Sequence, residues 1–254
     1  MVVAQPAVER VGPILAPAES AAPFAGDHDL FRYDIFHFIA LSGRQAACWV
    51  EEYHATGADV LGQRASHALI LLREEKEVQG AQALASVEAA LAGDLRGGNP
   101  AVRCIVERWY SSVLAYLHYC KGDFDAALDA LDRADGAVRQ AIGLEPFLLP
   151  FAHHCTDFRF QRARIARNRR RWQAMREQLE ISREIAAGRQ PMCVLADGVA
   201  ISFVTLRDFY GSLPLTVEAR ESLRGLLDDE ARIAVVERAI IRFCATIGGA
   251  IPCP

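Results

Sequence analysis

A chain of 254 residues, 52% hydrophobic and 24% charged, can build a core and lies far from the charge-rich, apolar-poor balance of disordered chains. Its formal net charge of -4 disfavours a general polyanion binder, because nonspecific nucleic-acid affinity comes from Lys and Arg neutralising phosphates. The opening residues lack a basic start followed by an unbroken apolar run, and no window approaches the roughly 18 apolar residues that span a bilayer; a cytoplasmic chain with no membrane partner is expected.

Pro6, Pro13, Pro17 and Pro23 leave no room for an ordinary helix, so residues 1–26 are expected to form an Ala/Pro-rich flexible arm. From Asp27 onward the composition turns to Ala, Leu, Arg and Glu, all strong helix formers, and no Asn-Gly hairpin signal occurs. This predicts one all-α domain over 27–254. Breakers divide it into about ten helices: 29–54 with a break near Ser42-Gly43, 58–73, 76–92, 101–121, 123–142, 147–168, 171–187, 194–210, 216–227 and 230–247. Pro100 suits a helix start, and Gly122 suits the left-handed position that ends one. Seven cysteines, an odd number with no Cys-x-x-Cys pair, sit mostly in apolar helical patterns and are expected to be reduced core residues.

The strongest internal signal is residues 111–134. Ala115 is small where two helices must touch, Gly122-Asp123-Phe124 forms a turn, and Ala127, Leu131 and Ala134 follow as small, large and small positions. This unit resembles a tetratricopeptide repeat. A second unit, 162–182, has Ala163 at the small position, Trp172 at the turn aromatic and Leu179 at the large position, but Met175 replaces Ala and the turn Gly is missing. Weaker units set Val78 and Ala81 in the aromatic and small slots near 68–88, and Val217 in the aromatic slot near 213–227. The spacings between Val78, Phe124, Trp172 and Val217 are 46, 48 and 45 residues, longer than the family's 34. Such lengthened pairs are similar to the arrays in bacterial regulators of the maltose-activator type. The resemblance implies a right-handed superhelical stack of antiparallel helix pairs, a TPR-like α-solenoid. The apolar Leu30, Phe31, Ile35, Phe36, Phe38 and Ile39 would then either pack on the first repeat or join two copies in a homodimer.

In that family the first helix of each pair lines the concave groove. Its partner-contacting offsets fall on Trp109, Ser112, Tyr116 and Tyr119 in the better unit, and on Phe160, Arg164 and Arg167 in the second. Aromatic rings beside guanidinium groups suit an extended peptide bearing acidic or C-terminal carboxylate groups. The function this implies is a non-catalytic, regulatory or scaffolding module that binds a peptide segment of a protein partner. Arg159, Arg162, Arg164, Arg167, Arg169, Arg170, Arg171 and Arg176 place eight positive charges in eighteen residues. They read either as a nucleic-acid contact or as partners for Asp123, Asp125, Asp129, Asp132 and Asp135 on the preceding helix, and the acidic chain as a whole favours the second.

Catalytic signatures are sparse. Glu51-x-x-His54 is a single Glu-x-x-His where di-iron bundles need two, and His153-His154-Cys155 are adjacent residues pointing about 100° apart on a helix, which favours a buried Cys beside surface or capping histidines. Asp228 in Asp228-Asp229-Glu230 reads as a cap for the last helix. No P-loop, dinucleotide fingerprint, nucleophile elbow or His-Glu-x-x-His occurs, and no cofactor or metal is expected. The alternatives are a helical-scaffold enzyme or metal- or small-molecule-binding protein using Glu51, His54 or the histidines near 153, and a nucleic-acid-binding regulator using the arginine helix at 159–176.

Overall fold

A computed structural model describes residues 34–93, 95 and 97–245, so the arm expected at 1–26, Leu30, Phe31 and Cys253 lie outside the described residues. The described residues are all-α apart from one small hairpin, and their helices break more often than the sequence suggests, giving twelve among them. They are α1 (Ile35–Ala40), α2 (Arg44–Ala55), α3 (Ala58–Arg73), α4 (Glu77–Ala92), α5 (Pro100–Cys120), α6 (Phe124–Leu144), α7 (His154–Asn168), α8 (Trp172–Ala186), α9 (Phe203–Gly211), α10 (Val217–Ser222), α11 (Arg224–Leu227) and α12 (Asp229–Ala245).

The middle of the chain forms three helix pairs, α3/α4, α5/α6 and α7/α8, each returning along itself through a three-residue link. The links share one backbone conformation. Glu75, Gly122 and Arg170 all take left-handed φ values, 61°, 75° and 56°. At each, the next amide reaches back five residues: Lys76 N–H to Leu71 O at 2.9 Å, Asp123 N–H to His118 O at 3.0 Å, and Arg171 N–H to Ala166 O at 2.8 Å. This double-bonded helix end satisfies carbonyls that would otherwise be orphaned. Only the middle link uses the glycine that favours this conformation.

Aligning the chain on those three residues puts the repeat in register, 47 residues from Glu75 to Gly122 and 48 from Gly122 to Arg170. Seven residues before each stands a fully buried alanine, Ala68, Ala115 or Ala163. Five after come Gly80, Ala127 and Met175, and nine after come the buried Leu84, Leu131 and Leu179. Gly80 is required by close approach, since a Cβ there would lie 2.7 Å from Leu72 Cγ and 3.1 Å from the Ala68 carbonyl. Two assignments are corrected by one residue. The small slot of the first unit is Gly80 and not Ala81, and Val78, 70% exposed, is not in the aromatic slot, which falls on Glu77. The fourth unit does not form: Val217 is 79% exposed and begins a six-residue helix.

Neighbouring pairs stack, with α3 and α4 both packed on α5, α6 on α7, and α8 on α12. Between α6 and α7 the chain inserts a 3-10 segment, Pro146–His153. A single helix was expected over 147–168; Pro150, which has no amide hydrogen, breaks it. Residues 148–158 are all buried, so this stretch is the hub of the fold. Phe36 of α1 meets Phe151 at 5.8 Å, and Phe38 meets Tyr210 of α9 edge-on at 5.5 Å. The apolar side of α1 is therefore buried against the hub and α9 within the chain.

Residues 194–210, expected to be one helix, instead contain a hairpin, β1 (Cys193–Val194) paired antiparallel with β2 (Ala200–Ile201), before α9. Its turn is Asp197-Gly198, with Gly198 at φ 87° and the Asp197 carboxylate accepting from Val199 N–H at 3.1 Å. Asp-Gly is as strong a hairpin signal as Asn-Gly. The expected helix over 216–227 is likewise two short ones, α10 and α11, while Asp228 caps α12 by accepting from Ala231 N–H at 2.8 Å.

Candidate functional site

The first helices of the second and third pairs, α5 and α7, leave a small open cleft between them, lined by Ala115, Tyr116, Tyr119, Leu131, Gln161, Arg164 and Ile165. The close α5/α6 crossing at Ala115 keeps the floor low, and Leu131 closes it. The two tyrosines, one turn apart on α5, stack with centroids 6.0 Å apart and planes at 24°. The Tyr119 hydroxyl accepts from Asn168 Nδ2 at 2.7 Å, which ties α5 to the end of α7. Burial pushes the Tyr116 phenol up to about 12, while the nearby guanidinium groups of Arg164 and of Arg73 at the end of α3 act in the opposite direction. Tyr116 is therefore neutral at ordinary pH. The cleft thus offers an aromatic shelf, an amide and a cationic rim.

Of the residues selected from the sequence, Tyr116, Tyr119 and Arg164 come together here. Trp109 and Ser112 stand further up α5, where neighbouring helices cover it. The Ser112 hydroxyl donates to its own helix at the Trp109 carbonyl, and the Trp109 indole N–H donates to the Tyr53 hydroxyl of α2. Phe160 is half-buried against the core, and Arg167 points at α12, its guanidinium 5.1 Å from the Phe243 ring centroid. Sequence offsets missed Gln161, which lies one helical turn before Arg164, a signal that was available.

Two of the eight arginines pair with the acidic face of α6. Arg162 reaches Asp132 at 2.6 Å and Arg169 reaches Asp125 at 2.5 Å, while Arg159 donates to Gln178 of α8 at 3.4 Å.

A second polar group lies in the hub. His153 and His154 are buried, which corrects their expected surface or capping positions. His153 Nδ1 is 2.7 Å from the Pro150 carbonyl, His154 Nδ1 is 3.3 Å from Asp157 Oδ2, and the two rings are 4.0 Å apart. One donor atom from each of His153, His154 and Asp157 falls within 4.8 Å of the others, so the set has the spacing to hold a metal ion. Charge balance opposes it. Arg108, 1% exposed, lies 3.8 Å over Trp109, whose ring is 6.0 Å from His154, and Asp157 is the most buried carboxylate among the described residues. A divalent ion held by two neutral imidazoles and one carboxylate would leave net positive charge in an interior where Arg108 is also buried. We read the group as a hydrogen-bonded polar core. At the single Glu51-x-x-His54, His54 turns to Asp59, Nδ1 to Oδ2 at 3.3 Å, and Glu51 is exposed.

The cysteines depart from a uniform reduced core. Cys48 and Cys120 are exposed, Cys104, Cys155 and Cys193 are buried free thiols, and Cys244 is disulfide-bonded. No helix among the described residues is long and apolar enough to cross a membrane. No protein-family model, curated protein or solved structure matches the chain.

Proposed function

We propose that the chain is a non-catalytic peptide-binding module, a TPR-like array whose cleft between α5 and α7 takes a carboxylate-bearing segment of a protein partner. The observation that carries this reading is convergence: Tyr116, Tyr119 and Arg164, picked out by family offsets in two separate units, line one open cleft. Arg164 supplies a guanidinium donor suited to a carboxylate, and the stacked tyrosines supply a flat apolar surface for the chain behind it. A regulatory or scaffolding role in the cytoplasm goes with that class by analogy. The nucleic-acid alternative is weakened by Arg162 and Arg169, whose charge is engaged by α6.

The test is a peptide array presented to the full chain, each sequence made with a free C-terminal carboxylate and again as the amide. Selected peptides should be acidic or depend on the free terminus. Arg164→Glu should weaken them by about 10- to 100-fold, whereas Arg162→Glu, outside the cleft, should leave them within a few-fold. Equal binding by wild type and a folded Arg164→Glu protein removes the cleft from consideration.

A further inference from the structure

The chain itself contains a segment with the chemistry that the cleft between α5 and α7 would select. Residues 1–33 lie outside the described residues and enter the fold at Asp34, whose carboxylate caps α1 by accepting from His37 N–H at 3.1 Å. Within them, Val11 to Gly26 carries a single charge, Glu19, set among Pro13, Leu15, Pro17, Pro23 and Phe24. A proline-rich stretch of this kind favours the extended polyproline conformation, which loses little entropy on docking and leaves its carbonyls without internal partners. Grooves walled with aromatic rings take such segments. The cleft supplies the complement: Tyr116 and Tyr119, stacked at 6.0 Å, for the prolines, the Gln161 amide for a backbone carbonyl, and the Arg164 guanidinium for the lone carboxylate.

The connecting length is sufficient. Phe36 in the first turn of α1, Phe151, His154 and Trp109 follow one another at ring-centroid separations of 5.8, 5.8 and 6.0 Å. Trp109 stands two turns before Tyr116 on α5, a rise of about 10 Å, so the start of α1 lies within about 35 Å of the cleft. The fifteen residues from Glu19 to Asp34, at about 3.1 Å each in the polyproline conformation, reach about 45 Å. We infer that the segment around Glu19 occupies this cleft within its own chain, Glu19 paired with Arg164, and competes there with the partner peptide. The inference rests on the peptide-binding reading of the cleft and adds its regulation. A tether of this length holds the segment near the cleft at an effective concentration of about millimolar, so contacts that would be weak between separate molecules suffice to occupy it. A partner then binds only by displacing the arm.

The experiment uses the full chain with Cys48→Ser, which leaves Cys120, one residue beyond Tyr119, as the exposed thiol among the described residues. Ser20→Cys adds a thiol beside Glu19, and a short bis-maleimide is applied to dilute protein. The expected product is a monomer linked between position 20 and Cys120, mapped by peptide mass spectrometry. Glu19→Lys or Arg164→Glu should slow its formation by about 5-fold or more, and the two changes together should restore it by exchanging the charges. A fluorescein-labelled synthetic peptide of residues 11–26, acetylated and amidated, should bind the Glu19→Lys chain about 3- to 10-fold more tightly than wild type, because the tethered competitor has been weakened. If Glu19→Lys changes neither measurement while carboxylate peptides from the array still require Arg164, the arm is not the occupant and the cleft reading stands. Links that join two chains overturn the inference as well, by placing the arm on a second copy. If the array peptides are indifferent to Arg164→Glu, the cleft reading itself fails and the arm loses its site with it.

Discussion

The links at 121–123 and 169–171 make the same turn with different side chains. Both close the preceding helix with a five-residue back-bond and a left-handed residue, yet one uses Gly122 and the other Arg170. The crossings behind them differ as well. In α5/α6 the facing residues are Ala115 and Ala127, and in α7/α8 they are Ala163 and Met175, all fully buried. The earlier pair α3/α4 goes further, with Gly80 against Leu72. What is conserved between the units is the backbone path and the placement of one small residue on the first helix. The second helix takes Gly, Ala or Met as the local spacing allows, because dense packing fixes total volume and not the identity at either side.

That comparison can be broken most severely at its largest residue. Met175→Ala should leave a cavity at the α7/α8 crossing and lower stability by about 2–5 kcal/mol in denaturant unfolding. A loss under 1 kcal/mol would mean that α8 simply settles inward. The reverse change, Ala127→Met, should cost about 1–3 kcal/mol through overpacking of the tighter α5/α6 crossing. If it proves neutral, the two crossings are equally spacious and the gradation from Gly80 to Met175 has no packing cause. The smallest effects lie in the links and should have opposite signs. Gly122→Ala should destabilise by about 1–2 kcal/mol, and Arg170→Gly should stabilise by about 0.5–1 kcal/mol, both read as shifts in unfolding midpoint at unchanged slope. Effects of the same sign would show that the left-handed residue is not what the two links have in common.

Legibility followed the same division. The 111–134 unit could be read because every slot held its favoured residue, and Gly122-Asp123-Phe124 does join two 21-residue helices, with Asp123 accepting from Ala126 N–H at 3.2 Å as the cap. The register of the first unit was off by one, because Glu75 and Gly80 carry the turn and the contact without resembling their counterparts. After α8 the chain no longer makes long pairs. The Asp197-Gly198 hairpin and the short α10 and α11 escaped a search for helical periodicity, since alternation over two-residue strands is too brief to register. In the cleft, Tyr116, Tyr119 and Arg164 were reachable from sequence offsets. Trp109 and Ser112 share their helix, but α2 and α3 cover that part of it, which no offset along α5 encodes.

By itself, the order of residues determined the local matters: which stretches are helical, that α5 begins at Pro100 behind an Asn99 cap, and that Gly122 ends it, because propensity, capping and turn chemistry act within a few residues. Only the tertiary structure decided which polar groups meet. The burial of His153, His154 and Asp157 and the hydrogen bond from Asn168 to Tyr119 each depend on packing elements whose separation along the chain carries no fixed distance in space.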